Sequence, residues 1–76
     1  MQMSHSISVE IFKTNVLSEF QAETVLTLLR NTFPEMKINF DLDDCDKILR
    51  IAGTEIIPEY ISYVMSSLGF ECDQLN

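Results

Sequence analysis

Basic residues are scarce in this chain. Five of its 76 residues are Lys or Arg against twelve Asp and Glu, a formal charge of −7. The five, Lys13, Arg30, Lys37, Lys47 and Arg50, are scattered and form no stripe. Such a chain repels a phosphate backbone, so neither nucleic acid nor an anionic membrane surface is expected as a partner. No apolar run approaches the roughly 20 residues needed to span a bilayer. Met1–Ser6 lacks the charged and apolar regions of a signal peptide, which gives the expectation of a cytoplasmic protein. In that reducing compartment the two cysteines, Cys45 and Cys72, are expected as free thiols. Gly53 and Gly69 are the only glycines, which excludes a Gly-rich phosphate loop. The single histidine, His5, has no companion His and no nearby nucleophile. Ser4, Ser6, Ser66 and Ser67 have no base at a telling spacing. No catalytic set is identifiable, so the expectation is a protein that is not an enzyme and carries no cofactor.

What is present describes one small α+β domain behind a flexible N-terminal tail, Met1–Ser6. Hydrophobic residues make up 46% of the chain and charged residues 22%, the balance of a compact fold and not of a disordered segment. The organising stretch is Lys37–Ile51, KINFDLDDCDKILRI. Ile38, Phe40 and Leu42 alternate with polar residues, Asp43–Asp46 form a turn, and Leu49 and Ile51 continue the alternation. A β-hairpin that sets Phe40 opposite Leu49 and Ile38 opposite Ile51 has one wholly apolar face. Upstream, Ile7, Val9 and Ile11 alternate with Ser8, Glu10 and Phe12, which predicts a strand with the first set inward. Ser18 and Gln21 fit a capping box. The helix it opens carries Ala22, Val25, Leu26, Leu29 and Phe33 on one stripe and stops at Pro34. Downstream, Gly53 and Thr54 turn the chain. Ile57, Ile61, Val64 and Leu68 form a second stripe, with Pro58 in its first turn and Gly69 beyond its end. Phe70 and Cys72 then alternate with Glu71 and Asp73 in a short last strand.

The order strand, helix, strand, strand, helix, strand is the βαββαβ pattern of the ferredoxin-like fold. It predicts a four-stranded antiparallel sheet with both helices on one face and the first and third strands central. The span Ile7–Cys72 resembles a heavy-metal-associated domain of the copper-chaperone type, with Leu68-Gly69-Phe70 similar to that family's step into its last strand. The phrase Asn39–Asp46 with Ile48-Leu49-Arg50 resembles a group of small uncharacterised bacterial proteins that share this outline. The family binds Cu(I) through Met-x-Cys-x-x-Cys after the first strand. Here the matching loop is Lys13-Thr14-Asn15-Val16-Leu17-Ser18, which lacks both cysteines, so no metal role carries over to it.

Other candidate chemistry has a bland counterpart. Asp41, Asp43, Asp44 and Asp46 offer oxygen ligands, but an EF-hand loop starting at Asp41 requires Gly at 46 and Glu at 52, where the chain has Asp46 and Ala52. Aspartates also favour tight turns for local reasons. Cys45 and Cys72 lie towards the same end of the expected sheet, where a thiolate pair could bind a soft metal, with His5 as a further ligand, or form a redox disulfide. The bland alternative makes Cys72 a small core residue. Tyr60 and Tyr63 are expected as boundary packing beside the second stripe. With the inward set as read, Phe12 and Ile48 fall on the opposite, uncovered face with Arg50 and Glu10 at their rim, a patch suited to a protein partner or a weak homodimer. The leading expectation is therefore a non-catalytic interaction module. The alternatives are metal handling through Cys45, Cys72 or the aspartate tip, and small-molecule sensing by analogy of fold.

Overall fold

The computed structural model describes residues 7–75. The tail Met1–Ser6, with His5, and Asn76 lie outside the described residues. The elements run β1 (Ser8–Thr14), α1 (Glu19–Thr32), β2 (Lys37–Asp41), β3 (Ile48–Gly53), α2 (Pro58–Ser67) and β4 (Cys72–Leu75). The strands form one antiparallel sheet in the order β2-β3-β1-β4. With two helices against this sheet, the protein is an α+β ferredoxin-like plait, with the first and third strands central as expected.

Local chemistry explains where the helices begin and end. The Ser18 hydroxyl accepts from the Gln21 N–H at 3.1 Å, and the Gln21 side-chain oxygen accepts from the Ser18 N–H at 3.3 Å. This capping box satisfies donors that the first helical turn leaves unpaired. The α1 stripe of Ala22, Val25, Leu26 and Leu29 is buried, and the helix ends one residue before its C-cap Phe33. α2 starts at Pro58, where the missing N–H costs nothing. It buries Ile61 and Met65, so Met65 joins the expected stripe while Ile57 stays largely exposed at the N-cap. Past its end, Gly69 takes φ 89°. The Gly69 N–H reaches Ser66 O and the Phe70 N–H reaches Met65 O, the two bonds of a Schellman motif. Tyr60 and Tyr63 are exposed, not boundary residues.

The hairpin has the expected register, with Ile38 opposite Ile51 and Phe40 opposite Leu49. Strand β1 does not follow its prediction. Phe12 pairs with Leu49 and Glu10 with Ile51, which turns Ser8, Glu10, Phe12 and Thr14 towards the helices and Val9, Ile11 and Lys13 away from them. Phe12 is 0% exposed in the core, whereas Ile7 is 72% and Val9 54% exposed. A slip of one residue exchanges the two faces of a strand. The physical reason lies beyond the point where the alternation was read: Thr14 and Val16 continue the Phe12 set, and both are buried. Burying the Phe12 ring and Val16 under the helices outweighs burying Ile7 and Val9 at the strand's free start.

The core therefore comprises Phe12, Val16, the α1 stripe, Ile38, Leu49, Ile51, Ile61 and Met65, with Phe40, Leu42, Phe70 and Cys72 packed against it. Phe70 precedes β4 and is not part of it. Both helices contribute to this one core, and on the other face of the sheet Val9 and Leu75 are exposed.

Candidate functional site

The register arranges the uncovered face in three rows. Nearest the β2–β3 turn lie Asp41, Ile48, Lys13 and Asp73; next come Asn39, Arg50, Ile11 and Leu75; last come Lys37, Ala52 and Val9. The second and third rows hold an apolar strip of Ile11, Leu75, Ala52 and Val9 crossing three strands. Val9 is 54% and Leu75 40% exposed. An open antiparallel face normally carries polar residues, so a strip of this kind is a feature to explain.

Of the four expected interaction residues, two lie on this face. Phe12 belongs to the core, and Glu10 lies on the helix side, where its carboxylate accepts from the Gln74 amide. Ile48 does face outward, but it is 6% exposed and stands apart from the main core cluster. Arg50 alone is both outward and exposed. The strip also sits at the opposite end of the sheet from the expected Phe12–Ile48 patch. Val9 and Ile11 went unrecognised because their alternation in β1 read as the inward set, and Leu75 because the last strand was read only as far as Asp73.

Both outer strands have a backbone carbonyl engaged by a helix side chain. The Arg30 guanidinium donates to Ile38 O in β2 at 2.9 Å, and the Ser62 hydroxyl donates to Cys72 O in β4 at 3.3 Å. Contacts of this kind oppose the addition of a further strand at either edge.

At the turn end two of the expected metal candidates, Asp44 and Asp46, have structural duties. Among the described residues, Asp44, Cys45 and Asp46 form the one acidic or thiol group whose ligand atoms lie within 4.8 Å of one another; Asp43 and Cys72 are not in it. The Asp44 carboxylate accepts from the Asp46 N–H at 2.8 Å, the local turn bond that aspartate favours. Asp46 faces the Lys13 ammonium at 3.9 Å. Lys47 closes the loop with φ 48°, its N–H on Asp44 O and its ammonium on Leu42 O at 2.9 Å. Cys45 is an exposed free thiol and Cys72 a half-buried one. Burial pushes the Cys72 thiol up to about 11, with Asp73 adding to the rise and Ser62 opposing it. At neutral pH it is thus a protonated, apolar-like group.

The end of β1 and the loop after it are committed to packing as well. The Thr14 hydroxyl donates to Lys47 O at 2.6 Å and accepts from the Val16 N–H at 3.2 Å. The Asn15 side-chain oxygen accepts from the Glu71 N–H at 2.8 Å, Val16 is fully buried, and Ser18 caps α1. A cavity of about 340 Å³ lies elsewhere, lined by Phe33, Pro34, Met36, Thr54 and the carboxylates Glu35 and Glu55. The sequence marked Phe33, Pro34 and Thr54 only as helix-stripe, helix-stop and turn residues, and none of the lining residues as part of a site.

The chain matches no known protein family, and no curated protein or solved structure matches it.

Proposed function

We propose that the protein is a non-catalytic interaction module that receives a protein partner on the open face of its sheet. The observation carrying this reading is the Val9, Ile11, Ala52 and Leu75 strip on the face away from the helices, with Val9 and Leu75 exposed. Its exposed members lose apolar area to water in the isolated domain, and a partner returns it, at about 25 cal/mol per Å² buried. The engaged carbonyls of Ile38 and Cys72 support docking on the face over strand addition at an edge. The likeness in outline to heavy-metal-associated domains fits the same reading. The loop that holds the metal in those domains is here devoted to Thr14, Asn15, Val16 and Ser18, each with a bonding or packing role.

The test uses the exposed pair Val9→Glu with Leu75→Glu. Neither side chain is in the core, so the urea midpoint should stay near that of the wild type. Protein captured by the immobilised wild type from host lysate should be lost with this variant and retained with Tyr63→Glu, which alters an exposed residue of α2. An unchanged set of captured proteins overturns the reading.

A further inference from the structure

The charges on the open face are distributed unlike those on the rest of the chain. Lys13, Lys37 and Arg50 place three of the five cations there, with only Asp41 and Asp73 of the twelve acids. Both acids stand in the row nearest the β2–β3 turn, beside Lys13, which also faces Asp46. The two rows that carry the apolar strip contain Arg50 and Lys37 and no carboxylate. Lys13–Asp46 is the one ion pair among the described residues, so neither Arg50 nor Lys37 has an ionic partner within them. Arg50 lies between Asn39 and Ile11 in the register. An exposed Arg set beside apolar side chains is the composition of a binding hot spot.

We propose that the partner on this face is a protein segment whose apolar side chains cover the strip and whose carboxylates meet Arg50 and Lys37. The inference rests on the open face being the docking surface. Lys37 is the diagonal neighbour of Arg50 across β2 and β3, a separation of roughly 7 Å between their attachment points. Two acids with one residue between them on an extended segment have about the same spacing. Arg50 can grip one carboxylate with two parallel N–H bonds, while Lys37 acts as a point charge on the other.

A second copy of this chain fits less well. Packing two copies about a two-fold axis through the strip brings together the rows that hold Arg50 and Lys37 and no acid. Like charges meeting at such a contact are unfavourable. The overall charge of −7 opposes an acidic partner at long range, but screening confines that repulsion to about 8 Å at physiological salt. Close contacts at Arg50 and Lys37 then decide the choice of partner.

The experiment pans a random-sequence peptide library displayed on phage against the wild type, Val9→Glu and Arg50→Glu, each first shown to keep the wild-type urea midpoint. Peptides selected by the wild type should combine Asp or Glu with apolar residues and should bind both variants about tenfold more weakly or worse. If the selected peptides are lost with Val9→Glu but show no excess of acids and bind Arg50→Glu normally, the face reading stands and the partner chemistry is wrong. Peptides that survive Val9→Glu overturn both. Failure to select any peptide also overturns the inference. In that case a dimer seen in sedimentation and abolished by Val9→Glu assigns the face to a second copy, and a monomer counts against the face as well.

Discussion

The two ends of the sheet solve different problems. At the end near the β2–β3 turn, side chains are tied to backbone: Thr14 to Lys47 O, Asn15 to the Glu71 N–H, Asp44 to the Asp46 N–H. These bonds tie the loops together beside the buried Phe12 and Val16. At the other end, Val9, Ile11, Ala52 and Leu75 meet solvent beside two cations without ionic partners. Residues that look chemically suggestive, Asp44, Asp46 and the loop after β1, are engaged in shaping the fold, while unremarkable aliphatic residues form the surface proposed to receive a partner.

The largest test of this contrast compares two positions on the same strand. Phe12→Ala removes a fully buried ring and should cost about 3 to 5 kcal/mol, enough to unfold much of so small a domain. Val9→Ala, on the open face, should stay within roughly 0.5 kcal/mol of the wild type. Equal losses in urea titration would show that the two faces of β1 are not distinct. Phe40→Ala should fall between them, because Phe40 is only partly buried.

Next in size is the tied end. Thr14→Val keeps the volume but removes the hydroxyl, leaving Lys47 O and the Val16 N–H without that partner. A loss of about 1 to 3 kcal/mol is expected. A neutral result would mean that packing, and not hydrogen bonding, joins the loops. Gly69→Ala should cost about 1 kcal/mol, since φ 89° disfavours a side chain although no atom stands within 4 Å of the added Cβ.

The last test concerns the thiols, whose effect is absent at neutral pH. In the unfolded chain Cys72 ionises near 8.5, whereas in the fold it stays protonated up to about 11. The unfolded state therefore releases its proton first, and stability falls as pH rises from about 9 to about 11, with no contribution below that window. Relative to Cys72→Ala, the wild type should lose urea resistance between pH 8 and pH 10.5. At pH 8, iodoacetamide should modify exposed Cys45 well before Cys72. Equal rates would place Cys72 in solvent.

Much of this architecture was legible because several local signals agreed. The Ser18–Gln21 capping box, the stop at Pro34, Pro58 in a first turn and Gly69 after a helix each depend on a few neighbouring residues. The hairpin register was legible because only one pairing of Ile38, Phe40, Leu49 and Ile51 yields an apolar face. The site was far less so. Arg50 was placed on the correct face from that register, but Val9, Ile11 and Leu75 were not, and Phe12 and Glu10 were assigned to the wrong side.

The strand β1 shows why. Its two alternating sets, Ile7, Val9 and Ile11 against Phe12, Thr14 and Val16, are similar in apolar content, so periodicity does not rank them. Tertiary structure decided between them, because the helices cover the end where Phe12 and Val16 lie and the Thr14 hydroxyl binds Lys47 O there. The sequence by itself determined the order of elements, the helix limits and the hairpin register, since these depend on short-range chemistry. The face presented by β1, and with it the open apolar strip, depends on what packs across the sheet from residues far away in the chain.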